Sequence, residues 1–292
     1  MRWWLYIKEI INLYRILVMT NSTEYNNNNT STQNITCGTS LTIVKVGGAV
    51  VEDPKQLSAL LSDFRQIKGA KILVHGGGRR ATKVAAALGI ESKMVGGRRI
   101  TDASMLEVVT MVYGGLVNKN IVAQLQALGI DAIGLTGADM DVIRSHKRPL
   151  KDGIDFGFVG DVDCVNAKRL KTLVDAGMTP VLAPLTHDGN GTMLNTNADT
   201  IASETARSLA ALYDVALVYC FEKPGVLADP DDDTSVIPTI TRSDFQRLTA
   251  DGTISGGMLP KIENALAAVE AGVKRVVITK ADSLKCGGTT IA

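Results

Sequence analysis

The sequence predicts an α/β fold, an open three-layer αβα sandwich with a mostly parallel central sheet. Three observations carry that expectation. From Leu41 onward, short apolar runs alternate with helix-length amphipathic segments, the βαβ rhythm of a sheet covered on both faces. Two of those runs end in glycine turns, Lys45-Val46-Gly47-Gly48 and His75-Gly76-Gly77-Gly78; a glycine turn after a buried strand allows positive φ and leaves main-chain N–H groups open to a ligand. Glycine accounts for 28 of 292 residues, while 45% are apolar and only 4% aromatic, a profile that suits an α/β enzyme. The length allows one large domain or two lobes.

Residues 1–18 are apolar and aromatic but are interrupted by Lys8, Glu9 and Arg15. Those charges argue against a membrane span and against a secretory signal. Residues 20–40, including Asn26 to Asn29, are polar and of low complexity, which predicts disorder. Residues 1–40 therefore read as a disordered or spurious N-terminal extension, with Met19 or a later start as an alternative beginning.

Strands are expected over 41–46, 71–74, 130–135, 180–183, 215–220 and 275–279. Helices are expected over 54–67, 79–88, 102–127, 167–176, 198–211 and 259–271. Several carry start signals: Asp53-Pro54, Thr101-Asp102, and Asn197 or Asp199. Between Arg144 and Val165 a stretch rich in Gly, Asp and Lys reads as a β-hairpin or long loop, the kind of interruption that carries substrate contacts. A boundary near residue 211 divides the core into lobes 41–211 and 212–292.

A net charge of +1 provides no global field for nucleic acid or an anionic membrane, so neither partner is expected. Cys37, Cys164, Cys220 and Cys286 lie far apart, as do His75, His146 and His187. That spacing matches no zinc site or CxxC motif and fits reduced thiols in a cytoplasmic protein.

The polar motifs are individually ambiguous. Lys45 reads as a phosphate-directed cation or a solvated strand end, and Arg98-Arg99 as a carboxylate grip or a solvated turn. Asn195-Thr196-Asn197-Ala198-Asp199 reads as a substrate contact or a plain helix cap. Lys261 follows Gly256-Gly257-Met258-Leu259-Pro260 at a helix start, where a cation is unfavourable unless an anion sits opposite. Neither glycine turn matches a P-loop or a well-formed G-x-G-x-x-G. Taken together, two lysines, two glycine turns and an aspartate, without a nucleophile or metal cage, suit phosphoryl transfer, which needs charge neutralisation and positioning.

Five motifs in order, Ile43-Val-Lys-Val-Gly-Gly48, Val74-His-Gly-Gly-Gly78, Gly97-Arg-Arg-Ile-Thr101, Asn195-Thr-Asn-Ala-Asp199 and Gly256-Gly-Met-Leu-Pro-Lys261, resemble the amino acid kinase family over residues 41–292. The resemblance implies ATP-dependent phosphorylation of the γ-carboxylate of N-acetylglutamate, a step of arginine biosynthesis. Under it, Lys45 and Lys261 would stabilise charge on the transferring phosphoryl group and Asp199 would hold both ammonium groups. Gly47, Gly48 and Gly77 would bind phosphate. Gly76, Gly77, Arg99, Asn195 and Asn197 would bind the substrate. Mg²⁺ would travel mainly on ATP oxygens, with no protein-built metal site. A homodimer is implied, with acceptor site and dimer contacts in the first lobe and nucleotide in the second.

Other readings remain. Arg79-Arg80 could meet a carboxylate on the acyl group, favouring N-succinylglutamate; another kinase of the family, or a non-catalytic sensor of nucleotide or amino acid, would share the fold. Many relatives carry Ser or Thr, then Asp, where this chain reads Cys220-Phe221-Glu222-Lys223, so family contacts to adenine or ribose do not carry over there. The short ending Gly287-Gly-Thr-Thr-Ile-Ala292 lacks the arginine-binding signature, which predicts no inhibition by arginine.

Overall fold

The computed structural model describes residues 39–292 apart from Gly97, Lys151, Asp282, Lys285, Cys286 and the side chain of Pro260. The expectation for residues 1–40 thus lies almost wholly outside the described residues. In chain order the elements begin β1 (Ser40–Val46), α1 (Gly48–Glu52), α2 (Pro54–Arg65), β2 (Ala70–His75), α3 (Gly78–Ala87), β3 (Met94–Val95), β4 (Arg98–Arg99) and α4 (Ala103–Val109). A π-helical stretch, Thr110–Val117, joins α4 to α5 (Asn118–Ala127). Next come β5 (Ala132–Leu135), β6 (Ile143–Lys147), β7 (Gly160–Val165), α6 (Ala167–Asp175), β8 (Thr179–Leu182), β9 (Leu185–His187), β10 (Met193–Asn195) and α7 (Ala198–Leu209). The chain ends through β11 (Asp214–Phe221), β12 (Thr239–Ile240), α8 (Arg242–Ala250), α9 (Met258–Glu270), β13 (Arg275–Lys280) and β14 (Thr289–Ile291).

The main sheet has the order β12-β14-β13-β11-β1-β2-β8-β5. Every neighbouring pair is parallel except β13 with β14. Two-residue alternation along β1 and β11 builds the layers. Leu41 and Ile43 join Val215, Leu217 and Tyr219 in a core covered by α6, α7, α8 and α9. Val44 and Val46 join Val218 and Cys220 in a second core on the opposite face, covered by α2, α3, α4 and α5. Two apolar clusters separated by one sheet make the α/β sandwich that the sequence predicts.

That alternation also aims the chemistry. Lys45 continues the Leu41 and Ile43 face of β1, so its side chain emerges at the carboxyl edge of the sheet beneath the N-terminus of α7. The stretch between Arg144 and Val165 forms the antiparallel β6–β7 hairpin, part of a separate four-stranded sheet ordered β10-β9-β6-β7.

The helix expected over 102–127 is interrupted by its π-helical stretch, where one wider turn re-aims the side chains of the following face. Two short helices, α1 and α8, were not foreseen. Helix α8 is set by a reciprocal cap between Thr241 and Asp244. None of the described helices is long and apolar enough to cross a membrane.

Candidate active site

The two glycine turns meet through backbone alone. A Cβ on Gly76 would lie 2.9 Å from the amide nitrogen of Gly48, and one on Gly77 would lie 2.8 Å from the ring of Tyr113. None of Gly47, Gly48, Gly76, Gly77 and Gly78 has φ in the left-handed region, Gly77 at 167° being extended. Close approach, not left-handed backbone, is therefore what demands glycine here, which corrects the sequence expectation.

The turns also divide their N–H groups differently from the expectation. Gly47 donates to the Cys220 carbonyl at 3.1 Å and Gly76 to the Val46 carbonyl at 2.9 Å. Both are sheet-edge bonds, so neither N–H is open to a phosphate or an acceptor. Gly48 and Gly78 open helices α1 and α3, where N–H groups lack intrahelical partners. A Cβ on Gly48 would lie 3.5 and 3.6 Å from the amide nitrogens of Gly77 and Gly78. The open donors of both turns thus converge on one spot.

Lys45 is 6% exposed, and its Nζ lies 2.7 Å from Asp199 Oδ1. The contact is charge pairing, since Asp199 Oδ1 takes part in no well-directed hydrogen bond. Asp199 is held in the first turn of α7 by Asn197, whose side chain accepts from the backbone N–H groups of Asp199 and Thr200. Lys261 Nζ sits 3.8 Å from the centroid of the Phe221 ring, and burial lowers its pKa from the ordinary lysine value. Asp199 and Glu222 oppose that fall, while Lys45 adds to it. The carboxylate thus contacts Lys45 directly and acts on Lys261 through space.

Two cavities share one wall. A larger one, about 440 Å³, is lined by Lys45, Gly48, Asp199, Phe221 and Lys261. A smaller one, about 200 Å³, is lined by Arg98, Arg99, Tyr113, Arg148, Asn195 and Asn197. Gly76, Gly77 and Gly78 line both. A group transferred from one cavity to the other would cross at this turn.

In the smaller cavity Arg99 is 8% exposed. Its Nη1 donates to Ser92 Oγ and its Nη2 to the Gly78 carbonyl and Thr82 Oγ1, which ties β4 to the start of α3. Asn195 donates from Nδ2 to Thr101 Oγ1, leaving its carboxamide oxygen for a ligand. Asn197 lines the cavity while its own oxygen caps α7. Arg148 stacks near Phe156 and binds Asp161 through Nε and Nη2, yet its buried Nη1 has no hydrogen-bond partner.

Arg79 and Arg80 do not line the smaller cavity. Arg79 lies on the phosphate side and pairs with Glu222 at 3.1 Å, and Arg80 lines a separate recess with Glu52 and Lys83. The sequence reading that set them against the acyl group is corrected on that ground.

Tyr113, Arg148 and Phe221 line the cavities without having been singled out as site residues. Tyr113 sits in the π-helical stretch and Arg148 beyond β6, and neither position carries a motif. Phe221 was legible only as a departure from the family pattern.

Beneath the turn, His75 is fully buried and its pKa falls to about 4, chiefly through desolvation. Its Nδ1 lies 2.7 Å from the Gly76 carbonyl and its Nε2 lies 3.2 Å from Asn118 Nδ2. A neutral ring protonated at Nδ1 satisfies both, donating to the carbonyl and accepting from the carboxamide.

A parallel sheet with apposed glycine turns, two ammonium groups and one organising carboxylate at its carboxyl edge defines a phosphoryl-transfer class of site. The family model described as the amino acid kinase family matches residues 40–280, and the chain belongs to that family. It is 65% identical over 251 residues to a protein of Phocaeicola vulgatus named acetylglutamate kinase, covering 86% of this chain and 97% of the relative. It is 66% identical over 245 residues to one of that name from Bacteroides thetaiotaomicron, covering 84% and 95%. Among solved structures, smu.665 from Streptococcus mutans UA159 superposes with a TM-score of 0.72 at 29% identity, covering 86% of this chain and 98% of that one.

Proposed function

We propose that this chain transfers the γ-phosphoryl group of ATP to the γ-carboxylate of N-acetyl-L-glutamate, forming an acyl phosphate in the arginine pathway. The observation that carries the reading is the shared wall of Gly76, Gly77 and Gly78 between a cationic phosphate cavity and a guanidinium-lined acceptor cavity. The identity of 65% to a protein named acetylglutamate kinase selects the acceptor within the family.

The acceptor γ-carboxylate is already ionised at neutral pH, so no general base is required. Lys45 and Lys261 neutralise charge developing on the transferring oxygens, and Gly48, Gly77 and Gly78 offer N–H donors to the same group. Asp199 keeps Lys45 aimed and biases Lys261 electrostatically. Arg99 grips the α-carboxylate with the donors its internal bonds leave open, and the Asn195 oxygen receives the substrate amide. Mg²⁺, if it accompanies ATP, would be held by the nucleotide and water more than by this chain, and would add charge neutralisation to that of Lys45 and Lys261. The nearby carboxylates fit that division: Asp199 is paired with Lys45 and Glu222 with Arg79. In this reading residues 41–211 form the acceptor and dimerisation lobe and 212–292 the nucleotide lobe of a cytoplasmic homodimer.

One observation favours a second reading of the acyl group. The unpartnered Nη1 of Arg148, at the wall of the acceptor cavity, suits an acyl chain ending in carboxylate, as in N-succinylglutamate. ATP-dependent hydroxamate formation with each acyl-glutamate tests both. Turnover with neither removes the kinase reading, and the ratio of kcat/KM values decides the acyl group.

A further inference from the structure

Phe221 is the last residue of β11, and it extends the face that carries Val215, Leu217 and Tyr219. Its ring stacks on Tyr219 with centroids 6.0 Å apart and planes 5° from parallel. The Lys45 ammonium lies 4.8 Å from the ring centroid and the Lys261 ammonium 3.8 Å from it. One aromatic ring therefore lies close to both cations of the phosphate cavity, whereas the one carboxylate between them contacts only Lys45. Among the described residues, Lys261 forms no ion pair with a carboxylate; the ring is its close partner.

We propose that Phe221 is a positioning residue whose ring holds the two ammonium groups in place as cations without neutralising either. The proposal rests on the phosphoryl-transfer reading. A second carboxylate would also hold Lys261, but it would cancel the charge that the phosphoryl oxygens require and compete with them for the ammonium protons. The negative face of an aromatic ring attracts a cation and leaves its charge uncancelled. It also favours the protonated form of Lys261 against the burial that pushes the other way.

The charged groups facing Lys261 are Lys45 on β1, Asp199 on α7 and Glu222 just past β11, the last already paired with Arg79. Removing the ring removes one support for the cation and leaves those three groups in place. The alkaline limb of activity, set by loss of the Lys261 proton, then moves to lower pH.

The test compares Phe221→Leu with Phe221→Tyr, which keeps the ring. Two readouts are followed against pH: kcat/KM for ATP, and the rate at which acetic anhydride modifies the Lys261 amine, mapped by mass spectrometry. Phe221→Leu is expected to lower kcat about tenfold and to shift both profiles down by about half a pH unit. Phe221→Tyr is expected to return both profiles to the parent position. If the leucine variant melts early, Phe221→Met supplies the ringless comparison. Profiles that do not move in the ringless variant, or a tyrosine variant that does not restore them, overturn the proposal. A parent protein without kinase activity defeats the proposed function instead, while the modification profile still reports on the ring contact.

Discussion

Gly76 and Gly48 touch through their main chains, with no room between them for a methyl group. The position a Cβ would take on Gly76 lies 2.9 Å from the Gly48 amide nitrogen and 3.3 Å from its Cα. Both neighbours are backbone atoms of Gly48 at the start of α1, so neither can swing aside as a flexible side chain would. Gly76→Ala is expected to separate the two turns and lower kcat about a hundredfold, because N–H donors aimed at one phosphoryl group lose their common target. Stability should fall by about 1–3 kcal/mol, within the range for overpacking. Steady-state kinetics and a urea titration check both figures. An alanine variant with parental kcat would mean that the turns need not touch.

Asp199 and Lys45 make a different kind of contact, a charge pair mostly shielded from water. Asp199→Asn leaves two ammonium groups facing each other without their carboxylate, and kcat is expected to fall about a hundredfold while acceptor KM changes less than about threefold. A double-mutant cycle with Lys45→Met separates this from general damage. If Asp199 acts through Lys45, its loss costs much less activity in the Lys45→Met background. Equal losses in both backgrounds would leave Asp199 without that role.

Burial of His75 couples stability to pH. Its pKa is lowered to about 4 from the ordinary histidine value of about 6.5, chiefly by desolvation, so the unfolded chain binds this proton more readily than the folded one. Stability therefore rises with pH across that window and is lost as pH falls from about 6.5 toward 4. Between pH 7 and pH 5 the His75 contribution amounts to about 2 kcal/mol. Urea titrations at the two pH values should show a smaller difference for His75→Gln than for the parent. An unchanged difference would assign the acid sensitivity to other groups.

Much of this was legible because periodicity fixes what a strand buries. Leu41, Ile43 and Lys45 share one face by alternation, so a lysine at the sheet edge could be placed before any contact was known. Gly47 and Gly76 were misread for the complementary reason. Whether a backbone N–H faces a ligand or a neighbouring strand depends on register, which Cys220 and Val46 set from distant segments. Tyr113 escaped because a π-helical turn breaks the 3.6-residue period by which a helix face is read. Phe221 drew notice as a departure from the family pattern, but only its distances to Lys45 and Lys261 give it a use.

Arg99 tests how far the acceptor cavity is built in advance. Its guanidinium spans Ser92, the Gly78 carbonyl and Thr82, and the carbonyl belongs to the same turn that receives the phosphoryl group. A lysine retains the charge but not the planar fork, so Arg99→Lys keeps the attraction for a carboxylate and loses its fixed direction. Acceptor KM is expected to rise about tenfold or more, with ATP KM within about twofold of the parent. Because the Gly78 bond is weakened as well, kcat should fall too, by less than the rise in acceptor KM. Initial-rate measurements with each substrate varied in turn check this pattern, and an increase confined to ATP KM would place Arg99 outside the acceptor site.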